Sequence, residues 1–193
     1  GELSASAWYE SIGITQNEWI SKQRWGTAAR YFRALTPMAL ATEGAKVSTF
    51  NVLNGDFKYA ILRGIWNREE SFGLIASGEL VNFDNLSAPL AGGGLYWART
   101  MPKLFATLFN MIPFLDNPKF VDVEFVYYPL SLNSNITAGT SFNLNFHGKV
   151  FWTERLFGEA GFGMKQFGFS DTAQNSSLNL AMAYGTVGLG FIY

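Results

Sequence analysis

Period two, sustained far beyond the length of an ordinary strand, narrows the choices for this chain more than any other feature. From Ile136 to Trp152, one face carries Ile136, Ala138, Thr140, Phe142, Leu144, Phe146, Gly148, Val150 and Trp152. The other carries Thr137, Gly139, Ser141, Asn143, Asn145, His147 and Lys149. Successive strand side chains point to opposite sides, so this spacing is that of a strand. A globular strand typically has ~5–6 residues. A run this long suits a tilted strand that crosses a bilayer and projects beyond it. The end of the chain repeats the pattern: Ala181, Ala183, Gly185, Val187, Leu189, Phe191 and Tyr193 share an apolar face, opposite Tyr184, Thr186, Gly188, Gly190 and Ile192.

The last eight residues, Thr186 to Tyr193, add a resemblance. Thr186, Gly188, Phe191 and Tyr193 resemble the C-terminal insertion signal of bacterial outer-membrane β-barrels: a polar residue, a glycine two later, and apolar or aromatic residues third-last and last. The resemblance implies an all-β, closed, antiparallel up-and-down transmembrane β-barrel, integral to the bacterial outer membrane. It would contact outer-membrane lipids and be handled by the barrel-assembly machinery during insertion.

Composition points the same way. Charged residues are 15% of the chain, hydrophobic residues 48% and aromatics 17%, whereas a soluble domain carries about 25% charged residues. A net charge of −1 offers no basic footprint for nucleic acid. The absence of cysteine excludes a disulfide framework, a thiol nucleophile and a thiolate metal site. No run reaches the ~20 apolar residues of a transmembrane helix. A membrane form must therefore be a barrel, since only helices and closed barrels satisfy the backbone in lipid. The 193 residues make one domain. Gly1-Glu2-Leu3 reads as a mature start, so export is an inference.

Ten strands are expected: 3–15, 25–35, 46–53, 57–66, 71–82, 93–101, 119–128, 136–152, 156–168 and 178–193. Asn54-Gly55-Asp56 is a strong hairpin signal between the third and fourth. An even number is usual in single-chain bacterial barrels and puts both termini on one side. Loops 16–24, 83–92, 129–135 and 171–176 then face outward, and 102–118 faces the periplasm. Eight strands is the alternative, with the 46–66 hairpin assigned to a loop. Within 102–118, Leu104, Phe105, Leu108, Phe109, Ile112 and Leu115 recur at spacings of three and four, which predicts a short helical connection. It would pack on the barrel, or serve as a membrane-surface or partner-docking segment.

The polar faces collect Asp122, Glu124, Asn143, Asn145, His147, Lys149, Glu159 and Lys165. In a soluble sandwich these would be solvated and the apolar faces would pack together; in a membrane barrel they form a polar network in the lumen. His147, the sole histidine, is a member of that network or a general base for acyl transfer. A base of that kind needs a nucleophile and an orienting acid within reach. Lipid A deacylases keep His and Ser two apart on one strand; here Lys149 stands in the serine position. Asp122 and Glu124 suit acid–base work or, as expected here, ion pairing with Lys149, Lys165, Arg99 or Arg63. No metal-ligand spacing and no cofactor motif stands out. Three functions remain: a non-catalytic structural or interaction component acting through the outer loops or 102–118, a narrow pore for small solutes, or a lipid-modifying enzyme using His147.

Overall fold

The computed structural model describes residues 9–16, 24–34, 38–39, 46–47, 50–64, 70–83, 86–100, 119–153, 155–173 and 176–191. Its strands are β1 (Tyr9–Gln16), β2 (Trp25–Ala34), β3 (Met38–Ala39), β4 (Lys46–Val47), β5 (Phe50–Arg63), β6 (Glu70–Phe83), β7 (Leu86–Thr100), β8 (Lys119–Ser131), β9 (Ile136–Ala138), β10 (Phe142–Phe151), β11 (Leu156–Asp171) and β12 (Ser176–Phe191). Ten of them form one antiparallel sheet in the order β1-β2-β5-β6-β7-β8-β10-β11-β12, with β9 paired to β11; β3 and β4 form a separate two-stranded sheet. Among the described residues there is no helix. The 102–118 segment, with Leu104, Phe105, Leu108, Phe109, Ile112 and Leu115, lies outside them, as does Tyr193.

The sheet is all-β with ten strands, but its make-up differs from the sequence expectation in three places. The hairpin about Asn54-Gly55-Asp56 does not form. These residues run straight through β5, opposite Arg30, Ala29 and Ala28 of β2 and opposite Glu79, Gly78 and Ser77 of β6. Ladder bonds on both sides outweigh a local turn preference, and the alternation of Val52, Asn54, Asp56 and Lys58 against Leu53, Phe57 and Tyr59 continues unbroken. Second, the 83–92 loop is mostly strand, since β7 already pairs with β6 from Leu86. Pro89, which lacks a ladder donor, lies close to the β7–β8 register shift at Ala91/Gly93.

Third, the long 136–152 strand is broken by a bulge. Ala138 pairs with Phe169 and Phe142 with Gln166. Gly139, Thr140 and Ser141 therefore face only Phe167 and Gly168. An extra residue reverses the faces downstream: Ile136 is buried inside, whereas Phe146 is exposed outside. Ser141, fully buried, takes over part of the ladder. Its Oγ donates to the Gly168 carbonyl at 3.1 Å and accepts from the Gly168 amide at 3.0 Å, while its carbonyl accepts from the Tyr128 amide at 3.0 Å.

Because β9 continues the lane of β10, the ten strands occupy nine lanes. Alternating directions make β1, β5, β7, β10 and β12 end at one rim and β2, β6, β8 and β11 at the other. The connection after β1 thus leaves the same rim as the one after β7, where the sequence reading had placed them on opposite sides. The start of β1 and the end of β12 also lie at opposite rims. The single lane of β5 accounts for both differences.

The sheet is strongly curled, and side chains meet across its concave side. Phe50 of β5 packs on Phe167 of β11, and Phe32 of β2 on Tyr184 of β12, each with ring centroids 6.0 Å apart. Near the rim where β2 ends, the concave side is filled by Phe50, Val52, Val81, Leu90, Ile136, Phe167, Phe169 and Leu180, all buried. Near the opposite rim, Phe151 contacts Phe120 and Phe157 at 5.4 and 5.2 Å. Removing the bulge staple by Ser141→Ala should lower stability by about 1–3 kcal/mol through the lost buried hydrogen bonds. Thr137→Ala on the outer side should change it by less than about 0.5 kcal/mol. Equilibrium denaturant unfolding of the two variants measures the difference.

Candidate functional site

Register alone assembles a polar band between the two apolar layers. Strands β7, β8, β10, β11 and β12 align Ala98, Asp122, His147, Gly161 and Thr186 in one row, and Tyr96, Glu124, Asn145, Gly163 and Tyr184 in the next. Lys149 and Glu159 form a pair in the row beyond, and Asn143 and Lys165 in the row before. All eight polar residues singled out in the sequence, Asp122, Glu124, Asn143, Asn145, His147, Lys149, Glu159 and Lys165, thus belong to one face, the concave one. Every one except Lys149 and Glu159, which are half-buried, is buried.

Charges within the band are matched. Asp122 receives His147 Nδ1 at Oδ2 and Lys149 Nζ at Oδ1, both at 3.0 Å. Lys149 also lies 3.7 Å from Glu159. Glu124 pairs with Lys58, and its other oxygen lies 3.5 Å from the Arg30 guanidinium, which sits 3.9 Å from Asp56. Burying such charges is tolerable only where each finds an opposite charge and hydrogen bonds. The cations expected for Asp122 and Glu124 are thus partly revised: Lys149 serves Asp122, whereas Lys58 and Arg30 serve Glu124. Lys165 instead pairs with Glu79, and Arg99 with Glu70 at 3.6 Å.

A second set links the band to the apolar layer. Ser77 Oγ donates to Asp56 Oδ1 at 2.6 Å and lies 3.0 Å from the Tyr128 hydroxyl, while Asn54 donates to both Asp56 and Ser77 at 3.1 Å. Tyr184 donates to Asn145 and, at 3.3 Å, to Asn143. Glu79 is 3% exposed, and its Oε2 has no hydrogen-bond partner among the described residues.

Sequence reasoning missed Arg30, Asp56, Lys58, Ser77, Tyr128 and Tyr184 as members of this band. For Asp56 and Lys58 the signal was present: Asn54, Asp56 and Lys58 alternate with Leu53, Phe57 and Tyr59. Reading a turn there hid it. The partners on β2 are set by curvature, which no local pattern encodes.

No family model, curated protein or solved structure matches the chain. The chemistry of the band must therefore be argued from its geometry. One ligand atom each from Asp122, Glu124 and His147 lie within 4.8 Å of one another, a grouping the sequence spacing did not reveal. Their carboxylates are already engaged by Lys58, Lys149 and Arg30, so a divalent ion would have to enter among ammonium and guanidinium groups. Asp122 orients the His147 ring as an acid partner would. The hydroxyl nearest in register, on Thr186, lies two strands away across Gly161 and has no hydrogen-bond partner among the described residues. A nucleophile bonded to its base is the first requirement of that chemistry; among the described residues the bond shown for His147 is to Asp122.

What the band does supply is cross-linking of the curled sheet. Lys58–Glu124 joins β5 to β8, Arg30–Glu124 joins β2 to β8, and Lys165–Glu79 joins β11 to β6. Lys165→Met, which leaves Glu79 buried and unpaired, should destabilise by about 3–5 kcal/mol. Adding Glu79→Leu should restore most of that loss. Denaturant midpoints of the single and double variants measure the coupling.

Proposed function

We propose that this chain is a small bacterial outer-membrane β-barrel with a filled, non-conducting interior, acting as a non-catalytic structural or interaction component of the cell envelope. The observation that carries this reading is the inversion of the two faces. Glu79, Asp122, Glu124 and Lys165 are buried on the concave side, while Leu53, Phe57, Tyr59, Leu62, Leu74, Leu95, Phe125, Tyr127, Phe162, Met164, Val187 and Leu189 are exposed on the convex side. Contiguous apolar surface of this extent marks an interaction or membrane face.

The placement of outer charges agrees with that reading. Along the convex faces of the described strands, charges occur at the rims: Glu10 with Arg33 at one, Glu70 with Arg99 at the other. Trp97 donates to Glu70 at 3.1 Å beside the second pair. An apolar band flanked by rim aromatics and charge is the outer profile of a membrane barrel. Strands β6, β7, β8, β11 and β12 have 14, 15, 13, 16 and 16 residues, above the ~9–11 needed to cross a bilayer at a tilt. The resemblance of Thr186, Gly188, Phe191 and Tyr193 to the barrel insertion signal supports the same location, with outer-membrane lipids and the assembly machinery as partners. A partner-docking role for 102–118 or the outer loops belongs to the same proposal.

The layered interior favours this reading over the pore. Phe50, Val52, Val81, Leu90, Phe167 and Leu180 fill one end and are all but inaccessible, so a hydrated path through the polar band meets a dry layer. Eight-strand barrels are just filled by side chains, and open channels appear at about sixteen strands. Two measurements test the proposal. The protein should stay folded only in detergent or lipid, with a gel mobility that changes on boiling. In planar bilayers it should give no steady conductance, and Phe50→Ala with Phe167→Ala should introduce one. A monodisperse folded protein in detergent-free buffer would overturn the membrane assignment; conductance by the unaltered chain would overturn the filled interior.

A further inference from the structure

We infer that the rim where β1, β5, β7, β10 and β12 end is a docking surface for membrane lipids with net-anionic phosphate headgroups, and that the opposite rim is not. The inference deepens the barrel reading proposed above and rests on it for the depth at which these side chains meet lipid.

Charge divides unequally between the two rims of the ten-stranded sheet. Among the described residues within one position of a strand end, the first rim carries four arginines, Arg24, Arg63, Arg99 and Arg155, against one carboxylate, Glu70. The same rule at the opposite rim gives one arginine, Arg33, against Glu10 and Asp171. Arg33 pairs with Glu10, and Asp171 is buried, its Oδ1 accepting from the Ala173 amide at 2.8 Å. Basic side chains at headgroup depth attract anionic lipid over a Debye length, so the surplus acts at one rim.

Tryptophan follows the same division. The three described tryptophans, Trp25, Trp97 and Trp152, all lie within three residues of a strand end at the arginine rim. Membrane barrels in general carry aromatic girdles at both interfaces; a one-sided set of tryptophans is a property of this chain. Each of the three has an arginine within three residues: Arg24 precedes Trp25, Arg99 follows Trp97, and Arg155 follows Trp152. An indole settles at the headgroup level with its ring in the boundary layer, which places the neighbouring guanidinium among the phosphates.

The outer surface seats these pairs. Trp25 stacks on Phe57 with ring centroids 6.5 Å apart. Gly158 makes room for the Trp152 ring, since a Cβ there would lie 3.0 Å from Trp152 Cζ2. Arg155 stands exposed in the β10–β11 turn, where Thr153 Oγ1 accepts from its backbone amide at 3.2 Å. Glu70 accepts from Trp97 Nε1 at 3.1 Å and lies 3.6 Å from Arg99, which fixes indole and guanidinium side by side. The Glu70 side chain is 8% exposed and that of Arg99 31%, so the negative charge is covered while the positive one is presented. A guanidinium is a planar fork of donors that matches phosphate oxygens.

Lipid selectivity reads the rim. The full chain is reconstituted into phosphatidylcholine vesicles containing a trace of nitroxide-labelled phosphatidylglycerol or nitroxide-labelled phosphatidylcholine. Electron paramagnetic resonance then measures the fraction of each lipid held at the protein surface. The expected result is a preference for phosphatidylglycerol of about fivefold or more, the scale of one basic side chain near a charged surface. Arg155→Gln, outside any strand, should lower it, and Arg99→Gln with Arg155→Gln should bring it close to unity. Arg33→Gln at the opposite rim should leave it unchanged. Equal retention of the two lipids by the unaltered chain, or an equal loss of preference with Arg33→Gln, would overturn the rim assignment and leave the membrane reading standing. A preference abolished by inorganic phosphate, and not by chloride at the same ionic strength, would assign the arginines to free phosphate and overturn the lipid. Retention of neither lipid would overturn the membrane reading, and this inference with it.

Discussion

Glu124 holds the architecture to its shape. It sits on β8 with almost no access to water, and it receives Lys58 from β5 and Arg30 from β2. A carboxylate buried in this way is costly unless its partners arrive together. Neither β2 nor β5 adjoins β8 in the sheet, so the pairing specifies curvature and not only adjacency. One row away on β8, Asp122 is held by two partners from the adjoining β10, His147 and Lys149. Polar side chains here do what a hydrophobic core does in a soluble protein: they decide which faces of the sheet end up together.

The interior is nevertheless not uniformly polar. The rule that greasy sides turn outward and hydrophilic sides inward holds for the middle of the strands and fails near the rim where β2, β6, β8 and β11 end. There Val52, Val81, Leu90, Phe167 and Leu180 pack against one another inside. At those levels several convex positions are polar instead, such as Asn51, joined to Asn82 at 2.9 Å, and Ser87, joined to Asn82 at 2.8 Å. The concave face thus changes character along the strand axis, while on the convex face Leu130 at the same rim stays apolar and exposed.

How much of this was legible depends on whether one strand carried the whole signal. β6, β8, β11 and β12 were readable because both faces keep a strict alternation, and the sides of Asp122, Glu124 and Lys165 followed directly. β5 was not, because Asn54-Gly55-Asp56 is a good turn in isolation and becomes strand only when β2 and β6 flank it. β9 and β10 read as one uninterrupted strand, because a bulge adds a residue without any compositional mark beyond Gly139. Those two errors compensate in number while altering topology: ten candidate strands become ten observed ones, but in nine lanes. Cross-sheet partners such as Arg30 and Lys58 are decided by curvature and lay beyond any reading of spacing.

Tyr128 belongs to both interior layers at once. Its ring is part of the buried apolar cluster, while its hydroxyl lies 3.0 Å from Ser77 and accepts from Asn54 at 3.4 Å. The side chain spans the boundary between a region of low polarisability and one dense in fixed dipoles. Any breathing of the dry half must therefore drag on the hydrogen-bonded half, and motion started among the charges is carried back into the hydrocarbon packing. The two halves of the interior are coupled through this phenol, and again where Lys165 lies over the Phe167 ring.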